Sequence, residues 1–219
     1  IAVPTDVTEV EKRAFYDLIK DAGVKARKIM VVEKAVADGL GLDIDVKNSQ
    51  GVMVVNVGYE TTEISILSLG GIVLSRLIKT GGLKFDEAIR TAVRKKFSLV
   101  IGGKTSETVK IQLKDLEAEG RGAVVYGRDI VTGLPVEREI PTKLVDETLE
   151  EHFNSIIDNV KVILERTPPE LAADIYRHGI YLTGGASQVS HLAERLAMGT
   201  GLRVNVSENP SISVVMGLA

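Results

Sequence analysis

The 219-residue sequence has no cysteine and no tryptophan, and its aromatic residues amount to only 4%. Without cysteine it carries neither a disulfide framework nor a thiolate zinc site. Its three histidines, His152, His178 and His191, are too scattered to make a metal cluster. The lack of cysteine points to a reducing compartment. Long apolar runs are missing as well: none approaches the roughly 20 residues of a membrane-spanning helix. Nor is one sign of charge in large excess. With 27 basic and 30 acidic side chains the formal charge is -3, so no overall basic field draws the chain to nucleic acid or to an anionic membrane. The chain opens on "IAVPTD", with no basic leader and no initiating methionine. A strand there needs partners on both edges, so we expect residues upstream of Ile1 in the gene product.

What remains is 44% hydrophobic and 26% charged, which is enough for one large domain or two small ones with a buried core. The spacing of apolar residues predicts a strand end at residues 1–3, a helix over 7–22, a strand over 28–33 and a small-residue helix over 34–42. A polar linker over 43–50 follows, then a three-strand meander whose turns are marked by Gly70-Gly71 and Gly81-Gly82, then a helix over 84–96. Residues 97–143 change character and read as a small α+β insertion built from "SETVKIQLKDL", "GAVVYGRDI" and "PVEREIP". A long amphipathic helix over 142–166 stops at Thr167-Pro168-Pro169. Beyond it come a short helix, the strand "IYLTGGAS", a helix opened by Gly184-Gly185, the strand "RVNVS" and a final helix. This is an α/β plan with two β-rich starts that feed helices.

One stretch carries chemistry. In "VVNVGYETTEISIL" a buried strand turns at Gly58 into a second strand and brings Asn56, Tyr59, Glu60, Thr61 and Thr62 to the turn. A strand, a glycine turn and two threonines frame a phosphate clamp, since backbone N–H groups and hydroxyls can wrap a terminal phosphate. The same residues also fit a hairpin that only holds a lobe together.

Taken in order, "IAVPTDVTEVEKRAFYDLIKDAGVKARKIMVVEKAVADGLG", "VMVVNVGYETTEISILSLGGIVLSRLIKTGGLKFDEAI" and "TPPELAADIYRHGIYLTGGASQVSHL" resemble the MreB-type bacterial actin homologues of the actin-like ATPase superfamily. The run Pro168 to Ile175 ahead of Leu-Thr-Gly-Gly is the specific part. The resemblance implies an actin-like, ribonuclease H-like α/β fold. Residues 1–42 would be the remainder of a first lobe, 51–96 with 144–219 the second lobe, and 97–143 its inserted subdomain. The family's opening strand with its Asp-x-Gly-Thr phosphate loop has no counterpart in this sequence.

The resemblance also implies site residues. Glu33 stands at the glutamate that orients the attacking water in the family's Ile-Glu-Glu-Pro, although Lys34 and Ala35 replace the residues after it. By composition alone Glu33 also fits an acid at a helix N-terminus. Against the family's Asp-Ile-Gly-Gly-Gly-Thr-Thr the chain keeps Gly58, Thr61 and Thr62 but carries Asn56 for Asp and Tyr59-Glu60 for two glycines. Gly81 and Gly82 match a Gly-Gly-Asp whose acid has become Leu83. Lys110 and Gln112 match Lys-x-Glu on the helix facing the nucleoside, or else are the solvent side of an amphipathic helix. Gly184 and Gly185 match Gly-Gly-Gly and are the best-kept nucleotide element. ATP with Mg is thus the implied cofactor, in a site altered at four polar positions. The implied role is a cytoplasmic cell-shape protein whose partners are further subunits and envelope-synthesis or membrane scaffold proteins, with peripheral association at the inner face of the membrane. An active ATPase and a non-filamentous scaffold are the rival readings.

Overall fold

The computed structural model describes residues 1–219, and the order of its elements follows from where glycine, proline and apolar period change. β1 (Ala2–Val3) and β2 (Val32–Glu33) pair in parallel, with α1 (Glu9–Asp21) between them and α2 (Lys34–Gly41) after them. Thr8 starts α1 through a capping box, its hydroxyl accepting from the Glu11 N–H while the Glu11 carboxylate accepts from the Thr8 N–H at 2.7 Å. The strand expected over 28–33 is confined to Val32–Glu33, because its partner β1 offers only two residues to pair with. α1 itself buries no residue, and its apolar Val10 and Leu18 stand in solvent.

The second unit is a five-stranded mixed sheet in the order β10-β9-β3-β4-β5, formed by β3 (Val52–Val57), β4 (Thr62–Ser68), β5 (Gly71–Ile78), β9 (Ile180–Thr183) and β10 (Val204–Val206). β3, β4 and β5 form an antiparallel meander, whereas β9 and β10 run parallel to β3. β3 is apolar except for Asn56 and buried throughout, as suits a strand covered on both sides. Met53, Val55 and Val57 enter the main core, and Val52 and Val54 enter a small second core under Ala35 and Val46.

On the main face lie α3 (Gly82–Phe97), α5 (Thr142–Arg166) and α7 (Leu192–Thr200). The apolar stripe of α5, from Val145 to Ile163, is buried along its length, and Phe153 meets Phe85 of α3 edge to face with centroids 5.5 Å apart. α6 (Pro169–His178) opens on a proline suited to a first helical turn. Residues 97–143 hold α4 (Gly103–Ala118) and a separate antiparallel sheet of β6 (Leu99–Val100), β7 (Ala123–Asp129) and β8 (Pro135–Ile140). β6 escaped the sequence reading because a two-residue strand has no visible period. The helix expected directly after Gly184-Gly185 is instead a short 3-10 turn, Gly185–Gln188, and α7 starts only after His191, whose left-handed φ of 67° breaks the run. α8 (Ser213–Leu218) closes against α2.

Candidate nucleoside cleft

Parallel strands β3 and β9 end side by side, with Asn56 opposite Thr183 in register. Their C-terminal ends open into Gly58 and Gly184, the crevice at which α/β sheets characteristically receive ligands. Gly184 takes φ 91°, and a side chain there would strike the Val57 carbonyl, so this position requires glycine. The β3–β4 turn is stitched to the start of α3: the Gly82 N–H donates to the Gly58 carbonyl at 3.0 Å and the Leu83 N–H to the Tyr59 carbonyl at 2.7 Å. A Cβ on Gly81 would lie 2.6 Å from the Gly58 oxygen, which explains the first glycine of that pair.

Between these turns and α4 lies a cavity of about 540 Å³, walled by Tyr59, Gly82, Glu107, Lys110, Gly185 and Ser211 among others. Its volume is in the range of small-molecule sites. Gly82 faces it with no side chain, and a Cβ placed there would sit 3.4 Å from both the Lys110 ammonium and the Ala186 methyl. The Lys110 Nζ is 2.7 Å from Asp86 Oδ1 and donates to the Gly82 carbonyl at 3.2 Å, with both side chains buried. Burial pushes the Asp86 carboxyl above its usual range, and the Lys110 charge opposes that rise. Glu107, Gln188 and Ser211 add hydrogen-bonding groups at the walls, and Ile111 and Val189 add apolar surface. A net-neutral floor with polar walls suits hydroxyls and a flat heterocycle better than a bare phosphate.

Of the residues singled out from sequence, Tyr59, Gly82, Lys110 and Gly185 line this cavity. Gly58, Gly81 and Gly184 do not line it themselves but directly precede the lining residues Tyr59, Gly82 and Gly185. Gln112 does not reach it: the side chain is exposed, and Glu107, one turn before Lys110 on the same helical face, lines the cavity instead. The match to Lys-x-Glu points to Gln112, whereas the i, i+3 spacing on the helix is what points to Glu107. Asn56 and Thr62 are buried and engaged, Asn56 with Asp38 at 2.6 Å and Thr62 with the Thr80 carbonyl at 2.7 Å, while Thr61 at the turn is half-buried. Glu33 does precede α2 as its N-cap, but its carboxylate makes no capping bond and pairs with Lys12 at 3.2 Å. Nearby Glu63 is held by Lys34 at 3.2 Å and by the Thr5 hydroxyl. No group of three or more histidines or acids is placed to hold a metal. A groove along α5, lined by Glu147, Glu150, Glu151 and Asp158, is comparable in volume at about 580 Å³ but has no apolar wall. No helix is long and apolar enough to cross a membrane.

The fold recurs in known proteins. The chain is 36% identical over 219 residues to the cell shape-determining protein MreB of Escherichia coli K12, and 37% identical to the cell shape-determining protein Mbl of Bacillus subtilis 168. It is 99% covered in both comparisons but spans only 62% and 65% of those relatives, a little under two thirds of their length. Crystal structures of MreB5 of Spiroplasma citri, bound to AMPPNP and to ADP, superpose with a TM-score of 0.91 at 34% identity over 99% of this chain, and the chain covers 65% and 66% of them. The MamK double helical filament shares the fold, with a TM-score of 0.75 at 22% identity. The sequence model of the MreB/Mbl protein family matches residues 1–219, and the chain belongs to that actin-like family.

Proposed function

We propose that the chain is the nucleoside-cradling part of an MreB-type cytoskeletal protein that determines cell shape, and that the cavity between α4 and the two glycine turns takes the nucleoside of an adenine nucleotide. The observation that carries this reading is the convergence of Gly82 at the start of α3, Glu107 and Lys110 on α4, and Gly185 after β9, three separate segments, on one cavity of about 540 Å³. It is supported by the nucleotide-bound MreB5 structures and by the names of the bacterial relatives. In this reading residues 1–42 belong to a first lobe, 51–96 with 144–219 form a second lobe, and 97–143 are its inserted subdomain. Its partners are further copies of the chain or MreB-like subunits, together with envelope-synthesis scaffolds at the inner face of the membrane.

The residues fit the nucleoside end of the ligand. Gly82 and Gly185 leave the backbone open to close approach, while Glu107, Gln188 and Ser211 offer partners to ribose hydroxyls. Lys110 is a neutralised strut rather than a free cation, because Asp86 and Gly82 take up its charge and its donors. The residues do not fit a metal: Glu60 on the β3–β4 turn is exposed, Glu33, Glu63 and Asp38 are each bound by a neighbouring side chain, and no three acids or histidines come together. Phosphoryl transfer depends on positioned charge, so hydrolysis by these residues alone is impaired.

Titration with a fluorescent ATP analogue in the presence of Mg²⁺ tests the reading. Binding should be weaker than low-micromolar, competed by ATP, and lost in Gly185→Val, whose side chain would fill the cavity. Low-micromolar affinity would defeat the account of an impaired cleft. Binding unchanged by Gly185→Val would place the ligand elsewhere.

A further inference from the structure

Asp38 sits on the buried face of α2 and is 1% exposed. Its Oδ2 accepts from the Asn56 amide at 2.6 Å and its Oδ1 accepts from the Ser213 hydroxyl at 2.7 Å. Ser213 Oγ in turn accepts from the Thr183 hydroxyl at 2.8 Å, and Thr183 is the register partner of Asn56. Four elements, α2, β3, β9 and α8, therefore meet through one buried polar cluster placed directly behind the glycine turns.

The geometry fixes the amide. A carboxylate only accepts hydrogen bonds, so the nitrogen of Asn56 must face Asp38 and its oxygen must face away. That oxygen lies against Gly184, 2.7 Å from where a Cβ would stand, and on the Gly58 side of the strand, 3.9 Å from a Cβ placed there. The one hydrogen bond of the Asn56 side chain is the one to Asp38. A free amide could present either end to the turn, but this one presents only its oxygen.

We propose that Asp38 is the positioning residue of the β3–β4 turn: it holds Asn56 so that a neutral oxygen faces Gly58 and Gly184, while the negative charge of the turn is carried one layer back on α2. For its ligand this inference rests on the cleft reading above; for its geometry it does not. One consequence is that Asn56→Asp, a return to the acid of the resembling motif, is no gain. It would bury two carboxylates about 2.6 Å apart. Only the exchange Asp38→Asn with Asn56→Asp moves the acid to the turn and keeps an amide behind it.

The wild-type chain, N56D, D38A and the exchange variant decide the matter. Thermal unfolding at neutral pH should show N56D lowered by roughly 5–10 °C and most of that loss recovered in the exchange. In ¹H–¹⁵N spectra the Asn56 side-chain protons should resist solvent exchange in the wild type and lose that protection in D38A, which leaves no acceptor at that position and whose backbone spectrum stays folded. On ATP addition the wild-type Asn56 signals should move together with those of Gly58 and Gly184. An N56D as stable as wild type, an exchange variant no better than N56D, or equal protection in D38A would each overturn the positioning role. If N56D does not fold, D38A and the exchange variant still decide. If the stability pattern and the D38A result hold while ATP moves none of these signals, the positioning stands and the ligand assigned to the turn is wrong.

Discussion

Lys110 and Asp86 form a buried ion pair whose weight becomes visible only when one partner is removed. Lys110→Met leaves the Asp86 carboxylate buried beside Phe85 without its cation, at a cost of about 3–5 kcal/mol. Lys110→Met with Asp86→Asn should cost clearly less than Lys110→Met alone. Urea unfolding of the two variants measures the difference, and an equal loss in both would contradict the pairing. His152 gives a pH signature. It packs near Phe85, with centroids 6.0 Å apart, and burial holds its pKa below the ordinary value of about 6.5. A depressed histidine contributes stability that is fully present above its unfolded pKa and is lost as pH falls through its folded one. The melting temperature should therefore decline on acidification from pH 7.5 to below 6, and less so in His152→Gln. At this scale the sequence was legible where a residue had a turn to make, as at Gly81 and Gly184. Asp38 was not legible: it read as part of a small-residue helix, because its role depends on Asn56, eighteen positions away in the sequence and adjacent only in the fold. A lone acid on an otherwise apolar helix face, with an asparagine in an apolar strand nearby, was the signal.

At the scale of elements, α2 and α8 cross at glycines. A Cβ on Gly217 would strike the Ala37 carbonyl, and one on Gly41 would strike the Ser213 carbonyl, so the two helices touch backbone to backbone. Gly217→Ala gains helix propensity of about 1 kcal/mol yet should destabilise the chain, because the carbonyl it meets cannot give way. It should also raise hydrogen exchange in α2 before α5; unchanged exchange in α2 would contradict the crossing. Helix α5 was readable almost to the residue, since its apolar positions keep a helical period for 25 residues and Pro168-Pro169 ends it. The first helix was readable as a helix but not in its surroundings. Its capping box is local, whereas burial of Val10 and Leu18 depends on what lies against them, and nothing among these residues does. Short elements such as β6 and the 3-10 turn after Gly184 depend on tertiary partners and leave no periodic trace.

For the whole molecule, the exposed apolar residues of α1 and the two-stranded β1–β2 sheet, whose outer edges have no partner strand, favour irregular association. Light scattering of the isolated chain should rise with concentration, and negative-stain images should show no regular protofilaments with or without ATP; ordered filaments would show that these residues suffice for assembly. The central claim is that Gly82, Lys110, Gly185 and their neighbours form a nucleoside cleft, and it is tested most directly by mapping ATP onto the backbone. In a ¹H–¹⁵N titration of the 219-residue chain with ATP, the account predicts saturable shifts at Gly82, Lys110, Ile111, Gly185 and Ser211, and none along the acidic groove of α5. Shifts absent from these residues at millimolar ATP, or gathered on another face, would contradict it.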